Sequence, residues 1–332
     1  MRTSLVVAMA MAMPACALDD RGDRGDDGVT VTYPGDPPPS TGNCPTGETC
    51  STATPNGLSF VGAQPVFLNY PNGLITNINH QLAVGGHDVI DLQLAGKDLA
   101  LPFTPASASQ SVMAIEGTTA SQVTIRSIQA GTAYLRVLDP AGALYDRENY
   151  ASADVGQLLP VPVIETITAI GGGAAHADAF VFATGTRTIG IALLDAPNPT
   201  QHRLIDTSLV LAADGGTQTR WDAIQLANAT AGHHAITASI GGTNPRSVDV
   251  ELVDHADAIT AIQSSGAVAC FAATAHGAFI SGLAWHFTIG GIDIGSFDTL
   301  GPNCVADIFA NPTFTVTASA GGKTITITTT PN

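Results

Sequence analysis

The sequence predicts an all-β chain, and three of its features carry that prediction. Acidic residues number 28, yet only five are glutamate (Glu48, Glu116, Glu148, Glu165 and Glu251), and lysine occurs only as Lys97 and Lys323. Glu and Lys are the usual surface residues of helices, whereas Asp favours turns and caps, so the surface reads as turn-rich and helix-poor. Runs such as "TFTVTAS" and "KTITITTT" place β-branched residues at period two, the signature of a half-buried strand. The third feature is internal repetition: "ITASIGG" at 236–242 returns as "VTASAGG" at 316–322, 80 residues on.

A chain of 332 residues exceeds one ordinary domain, and two or three are expected. Hydrophobic residues at 45% against 12% charged supply apolar material for several cores. The formal charge of −16 argues against a nucleic-acid partner, whose phosphates need clustered Lys and Arg, and it repels an anionic membrane surface.

Residues 1–15 read as an export signal, with Arg2 in a short basic start and an apolar stretch over 5–15 that is too short to span a bilayer. Two processing readings stand. Met13-Pro14-Ala15-Cys16 is similar to the lipobox of bacterial lipoproteins, in which the cysteine is lipidated; Met13 suits that pattern better than Pro14. Ala15-Cys16-Ala17 is also a small-x-small site, which would release a soluble secreted chain at Leu18. The lipobox is favoured because a tether-like segment follows. Either reading accounts for the odd one of five cysteines and places the other four in an oxidising compartment.

Residues 16–57 are dominated by Gly, Pro, Asp, Ser and Thr and are expected to form a disordered, solvated tether. Within it Cys44 and Cys50 flank five residues including Pro45 and Gly47, a spacing suited to a small disulfide ring. Zinc is disfavoured there for want of a second ligand pair. Arg-Gly-Asp occurs at 21–23 and 24–26, as Gly/Asp-rich coil produces by chance, and Gly22 and Gly25 fall where a calcium loop needs ligands.

The remainder divides into three units over 58–160, 161–255 and 256–332. "ITAI" at 167–170 recurs at 259–262, 92 residues on, and "AGTAYLRVLDPAG" at 130–142 aligns its Ala130-Gly131 with Ala231-Gly232, 101 residues on. Unequal spacings mean shared strands with variable loops. Pro160 and Pro162 mark the first junction as a linker, whereas "ELVDHADAITAI" passes from strand to strand at the second and predicts close docking. Inward positions are expected at Val123 and Ile125 and at Ala133, Leu135 and Val137, and a hairpin turn at Gly321-Gly322.

"AGTAYLRVLDPAG", "AGHHAITASIGG" and "FTVTASAGGKTITIT" resemble the closing hairpins of bacterial immunoglobulin-like (Big-type) domains. The resemblance implies three tandem immunoglobulin-like β-sandwiches. In the third unit Cys270, Trp285 and Cys304 are similar to the family's cysteine–tryptophan–cysteine core. That implies Trp285 in the core and a disulfide from the unit's second strand to its fifth, although Cys304 falls one strand early.

No chemistry-bearing motif emerges. "GGKT" at 321–324 has Thr317 where a phosphate-binding loop needs its first glycine and is followed by strand, so it reads as a turn; "IGGGAAH" at 170–176 reads as a loop. His233 and His234 are adjacent and would face opposite sides of a strand, and His286 should point outward behind Trp285. His80 and His87, with Asp88 and Asp91, are the weak metal candidates around the turn at Gly85-Gly86. Asp254 and Asp257, with Glu251 and His255, are the other, suited to calcium at a domain junction, with solvated turn acids the favoured reading. Trp221 reads either as a ligand-stacking aromatic or as a residue packed at a strand's start. No catalytic residue and no cofactor beyond that calcium are expected.

The expectation is therefore a non-catalytic, exported surface lipoprotein of the bacterial envelope (outer membrane or cell surface), serving as a spacer, adhesion or recognition module. Its partners would be the membrane through the lipid on Cys16 and a cell-surface glycan or protein. A soluble secreted form, a structural subunit of an envelope assembly and a secreted hydrolase with a loop-borne site are the alternatives.

Overall fold

A computed structural model describes residues 48–51, 58–63, 81–94, 97–98, 104–119, 121–163, 180–195, 203–265, 268–298, 303–306 and 313–329. The segment expected to be an export signal, Cys16, Cys44, His80, the first "ITAI" run and "IGGGAAH" lie outside them. Every regular element among the described residues is a strand. The chain is all-β, with three hydrophobic cores, each closed between two sheets.

The first unit contains β1 (Leu58–Val61), β2 (Gln81–Ala83), β3 (His87–Leu94), β4 (Lys97–Asp98), β5 (Thr104–Ser107), β6 (Met113–Thr118), β7 (Gln122–Ser127), β8 (Gly131–Leu138) and β9 (Leu144–Ala153). One sheet runs β1-β3-β7-β6 with β4 on β3, and the other runs β2-β9-β8-β5. Period two decides which side chains meet: Val123 and Ile125 from the first sheet and Ala133, Leu135 and Val137 from the second are all buried in one core.

The second unit contains β10 (Gln157–Pro162), β11 (Phe180–Ala183), β12 (Gly185–Leu194), β13 (Arg203–Leu204), β14 (Val210–Ala212), β15 (Gly216–Arg220), β16 (Ala223–Ala229), β17 (Gly232–Ile240) and β18 (Asn244–Val253). The third contains β19 (Ala258–Ser265), β20 (Val268–Ala275), β21 (Ala278–Ser281), β22 (Ala284–Ile289), β23 (Ile292–Asp298), β24 (Asn303–Ala306), β25 (Thr315–Ala320) and β26 (Lys323–Thr328). One sheet belongs to the second unit alone (β10-β12-β16-β15, with β13 on β12) and one to the third alone (β23-β22-β25-β26). A continuous eight-stranded sheet, β14-β17-β18-β11-β21-β20-β19 with β24 on β20, serves both. The matched repeats take equivalent places: Gly131 opens β8 and Gly232 opens β17. Gly321 (φ 55°) and Gly322 (φ 77°) form the two-residue turn joining Ala320 to Lys323, a left-handed pair that glycine adopts without strain.

Two expectations are corrected. Pro160 and Pro162 lie inside β10 at a sheet edge, opposite Ile191 and Ile189, where a residue without an N–H is tolerated. The segment is therefore a strand, and the chain passes from β9 to β10 over 154–156. Four residues of the expected tether are also held against the first unit. Glu48, Thr49, Cys50 and Ser51 lie against β9, with a parallel bridge between Cys50 and Leu144.

Candidate functional site at the unit junctions

Both junctions are built by the same device, a short extended segment buried on both faces. β11 reads Phe-Val-Phe-Ala. Phe180 and Phe182 enter the core of the second unit, and Val181 and Ala183 enter that of the third. Its backbone pairs in parallel with β18 on one side (Phe182 opposite Leu252) and with β21 on the other (Val181 opposite Ile280). At the first junction Leu82 enters the core of the first unit while Ala83 enters that of the second. Leu204 and Ile205 do the reverse, and Leu82 and Ile205 form a parallel bridge. Trp221 packs against both of these cores, which decides for its packing role. A linker expected at the first junction is thus replaced by docking as close as that at the second.

Polar groups complete the first junction. The buried Asp206 carboxylate accepts hydrogen bonds from the backbone N–H of His87 (3.1 Å), Ser208 (3.0 Å) and Gly241 (2.7 Å) and from the Ser208 hydroxyl (2.5 Å). The His87 ring bridges Ser208 Oγ and Glu116, each at 2.8 Å, and Glu116 also meets Arg126 at 3.1 Å. Partial desolvation acts against Glu116, but hydrogen bonds from Arg126 and His87 outweigh it and hold the carboxyl below its usual range.

A serine, a histidine and a glutamate in one line resemble a nucleophile–base–acid series. Here the serine hydroxyl donates to Asp206, so the proton a base would remove is already directed elsewhere. The line functions geometrically as a joint across two units.

Other sequence-selected residues fall apart in space. Asp88 is buried, accepts from the N–H of Ala63 and Val89, and is pushed up to about 7 by desolvation; Asp91 instead accepts from Gln122. At the second junction Asp254 is held low by a hydrogen bond from its neighbour His255. Asp257 accepts from the His276 N–H, and Glu251 pairs with the His276 ring. His233 pairs with Asp249, which raises its pKa, whereas His234 bonds the Thr230 carbonyl. Among the described residues no three His, Cys, Asp or Glu side chains converge on a common point as a metal would require. Buried Arg203 beside buried Asp222 in the second unit was not anticipated. Desolvation lowers Arg203 to about 9 against the opposing field of Asp222.

In the third unit Trp285 is buried and stacks on Phe287 (centroids 5.8 Å apart, planes at 5°). Cys270 stands opposite Cys304 in the β20–β24 register. The two cysteines therefore belong to neighbouring strands of one sheet, the second and sixth of the unit, whereas the resemblance implied a tie to the fifth. Alternation places Cys270, between core residues Ala269 and Phe271, on the face away from Trp285.

No family model matches the chain, and no curated protein does. Solved structures similar to it include the Bacteroides ovatus mixed-linkage glucan utilization locus protein SGBP-B in complex with a mixed-linkage heptasaccharide. It is 14% identical, with 83% of this chain and 70% of that one covered and a TM-score of 0.22. Domains 5–6 of the S-layer protein SbsC are 9% identical, covering 59% of this chain and 99% of that one at a TM-score of 0.21. The titin I9–I11 tandem is 10% identical, covering 83% and 99% at a TM-score of 0.19. The architecture is that of β-sandwiches in tandem, three cores each closed between two sheets.

Proposed function

We propose that this chain is an exported bacterial immunoglobulin-like repeat protein. In this reading it is anchored to the envelope through lipid on Cys16 and acts without catalysis as a spacer that presents a recognition surface. Its external partner is a cell-surface glycan or protein. The observation that supports the reading is the junction design: segments buried on both faces feed alternate residues into adjacent cores, so reach is kept without hinge freedom. Disulfides Cys44–Cys50 and Cys270–Cys304 belong to the same proposal. Directly opposed residues of antiparallel strands lie within bridging distance, as the register of the second pair provides.

The test is detergent partitioning of the full chain and its Cys16→Ser variant, followed by whole-cell and glycan-array binding. The wild type should partition into detergent and the variant should not. Equal partitioning would remove the anchor, and an absence of cell or glycan binding would remove the recognition role. A secreted hydrolase with a loop-borne site is the second reading, and it would require the Ser208 hydroxyl to give up its hydrogen bond to Asp206. Turnover of an ester or glycoside panel that disappears in Ser208→Ala would establish it.

A further inference from the structure

The chain carries only 12 basic residues against 28 acidic ones, yet Arg136 on β8 and Arg147 on β9 stand directly opposite each other. Like charges in that position are unfavourable unless an anion lies between them. Glu48 supplies one, 2.7 Å from Arg136 and 3.8 Å from Arg147, and all three side chains are largely covered. Arg147 also rests 4.2 Å from the centre of the Tyr134 ring, which fixes the plane of its guanidinium. Around this contact the backbone is clasped at two points. The Leu144 N–H donates to Thr49 (2.7 Å), and the Ser51 N–H donates to Leu144 (2.8 Å). The Ser51 hydroxyl bonds Asp139 in the β8–β9 turn, a contact that holds that carboxyl low.

We propose that Arg136 and Arg147, backed by Tyr134, form a carboxylate receptor on the first unit whose resident ligand is Glu48, so that the end of the stalk is latched along β9. The latch converts a flexible attachment into a fixed one. A tether free up to residue 57 would let the first unit swivel; a tether seized at residue 48 sets its direction. Since an ion pair holds the latch, free anions compete for the receptor.

Hydrogen–deuterium exchange on the full chain tests this. In Glu48→Gln the amides of Ser51 and Leu144 should exchange about tenfold faster, while β7 amides stay unchanged. Rates equal to wild type overturn the latch. A parallel rise across β7 assigns Glu48 to general stability of the unit and overturns it as well. Glu48→Arg and Arg147→Glu should each open the clasp, and the two together should close it; failure to re-close also overturns the proposal. Inorganic sulfate should bind Glu48→Gln at one site about tenfold more tightly than it binds the wild type, where it must displace the Glu48 carboxylate, and equal affinity for the two would remove the receptor.

Discussion

Gly241 lies so near Gly85 that a Cβ placed on it would stand 2.3 Å from the Gly85 carbonyl oxygen. The two glycines belong to different units, and their contact closes the first junction over Asp206. Its counterpart in the repeat, Gly321, would bring a Cβ to 2.7 Å from the nitrogen of Ala256, the first residue of its own unit. The repeated "GG" therefore serves in both copies as a turn and as a close backbone approach, and at Gly241 that approach crosses between units.

Gly241→Ala is expected to separate the first two units and cost roughly 3 kcal/mol or more, because backbone must move as well as adopt a strained φ. Gly242→Ala faces open space at φ 70° and should cost only about 1 kcal/mol. Differential scanning calorimetry of the two variants reads the contrast.

Arg203 and Asp222 are both buried, and Asp222 also pairs with the part-exposed Arg220 at 3.1 Å, so removing the Asp222 charge takes away the field that opposes the desolvation of Arg203. Asp222→Asn should destabilise by about 3 to 5 kcal/mol in urea unfolding, whereas Arg203→Met combined with Asp222→Leu should recover most of that loss.

Asp88 gives the first unit a pH dependence with a definite sign. Burial raises its carboxyl to about 7 from 3.8, so between those values the folded chain holds a proton that the unfolded chain has released. Stability from this group is complete below about pH 4 and is lost as pH rises through about 7, a swing of a few kcal/mol. Asp88→Asn should flatten the unfolding free energy measured from pH 5 to pH 8.

A Cys270–Cys304 bridge would staple β20 to β24 within one sheet. Cys270→Ser and Cys304→Ser should then each expose one new thiol to a thiol reagent under denaturing conditions, and each should cost about 3 kcal/mol. Trp285 fluorescence should shift little in either, because the tryptophan packs on Phe287 and the bridge lies on the other face of the sheet.

The alternation that buries Val123, Ile125, Ala133, Leu135 and Val137 was legible because period two is a local property of the chain. So were the Gly321-Gly322 turn and the outward aspect of His286, whose side chain is 44% exposed beside buried Trp285. The junctions were not. "FVFA" looks like any apolar strand, and only the parallel partner from residues 278–281 shows that both of its faces are covered. Pro160 and Pro162 resemble a linker until the edge they occupy is known. Asp206 reads as a turn acid, since its partners at positions 87 and 241 lie more than thirty residues away on either side. An Asp-x-Ser turn beside a hydrophobic run was the only local hint.

β11 has one further consequence. Copying in the sequence proceeds unit by unit, but this strand gives its two sides to different neighbours, so the inherited module and the cooperative block do not coincide. A polypeptide ending after β18 would leave Val181 and Ala183 facing water, and one beginning at β19 would lack the strand that flanks β21. The second and third copies are bound to melt as a pair.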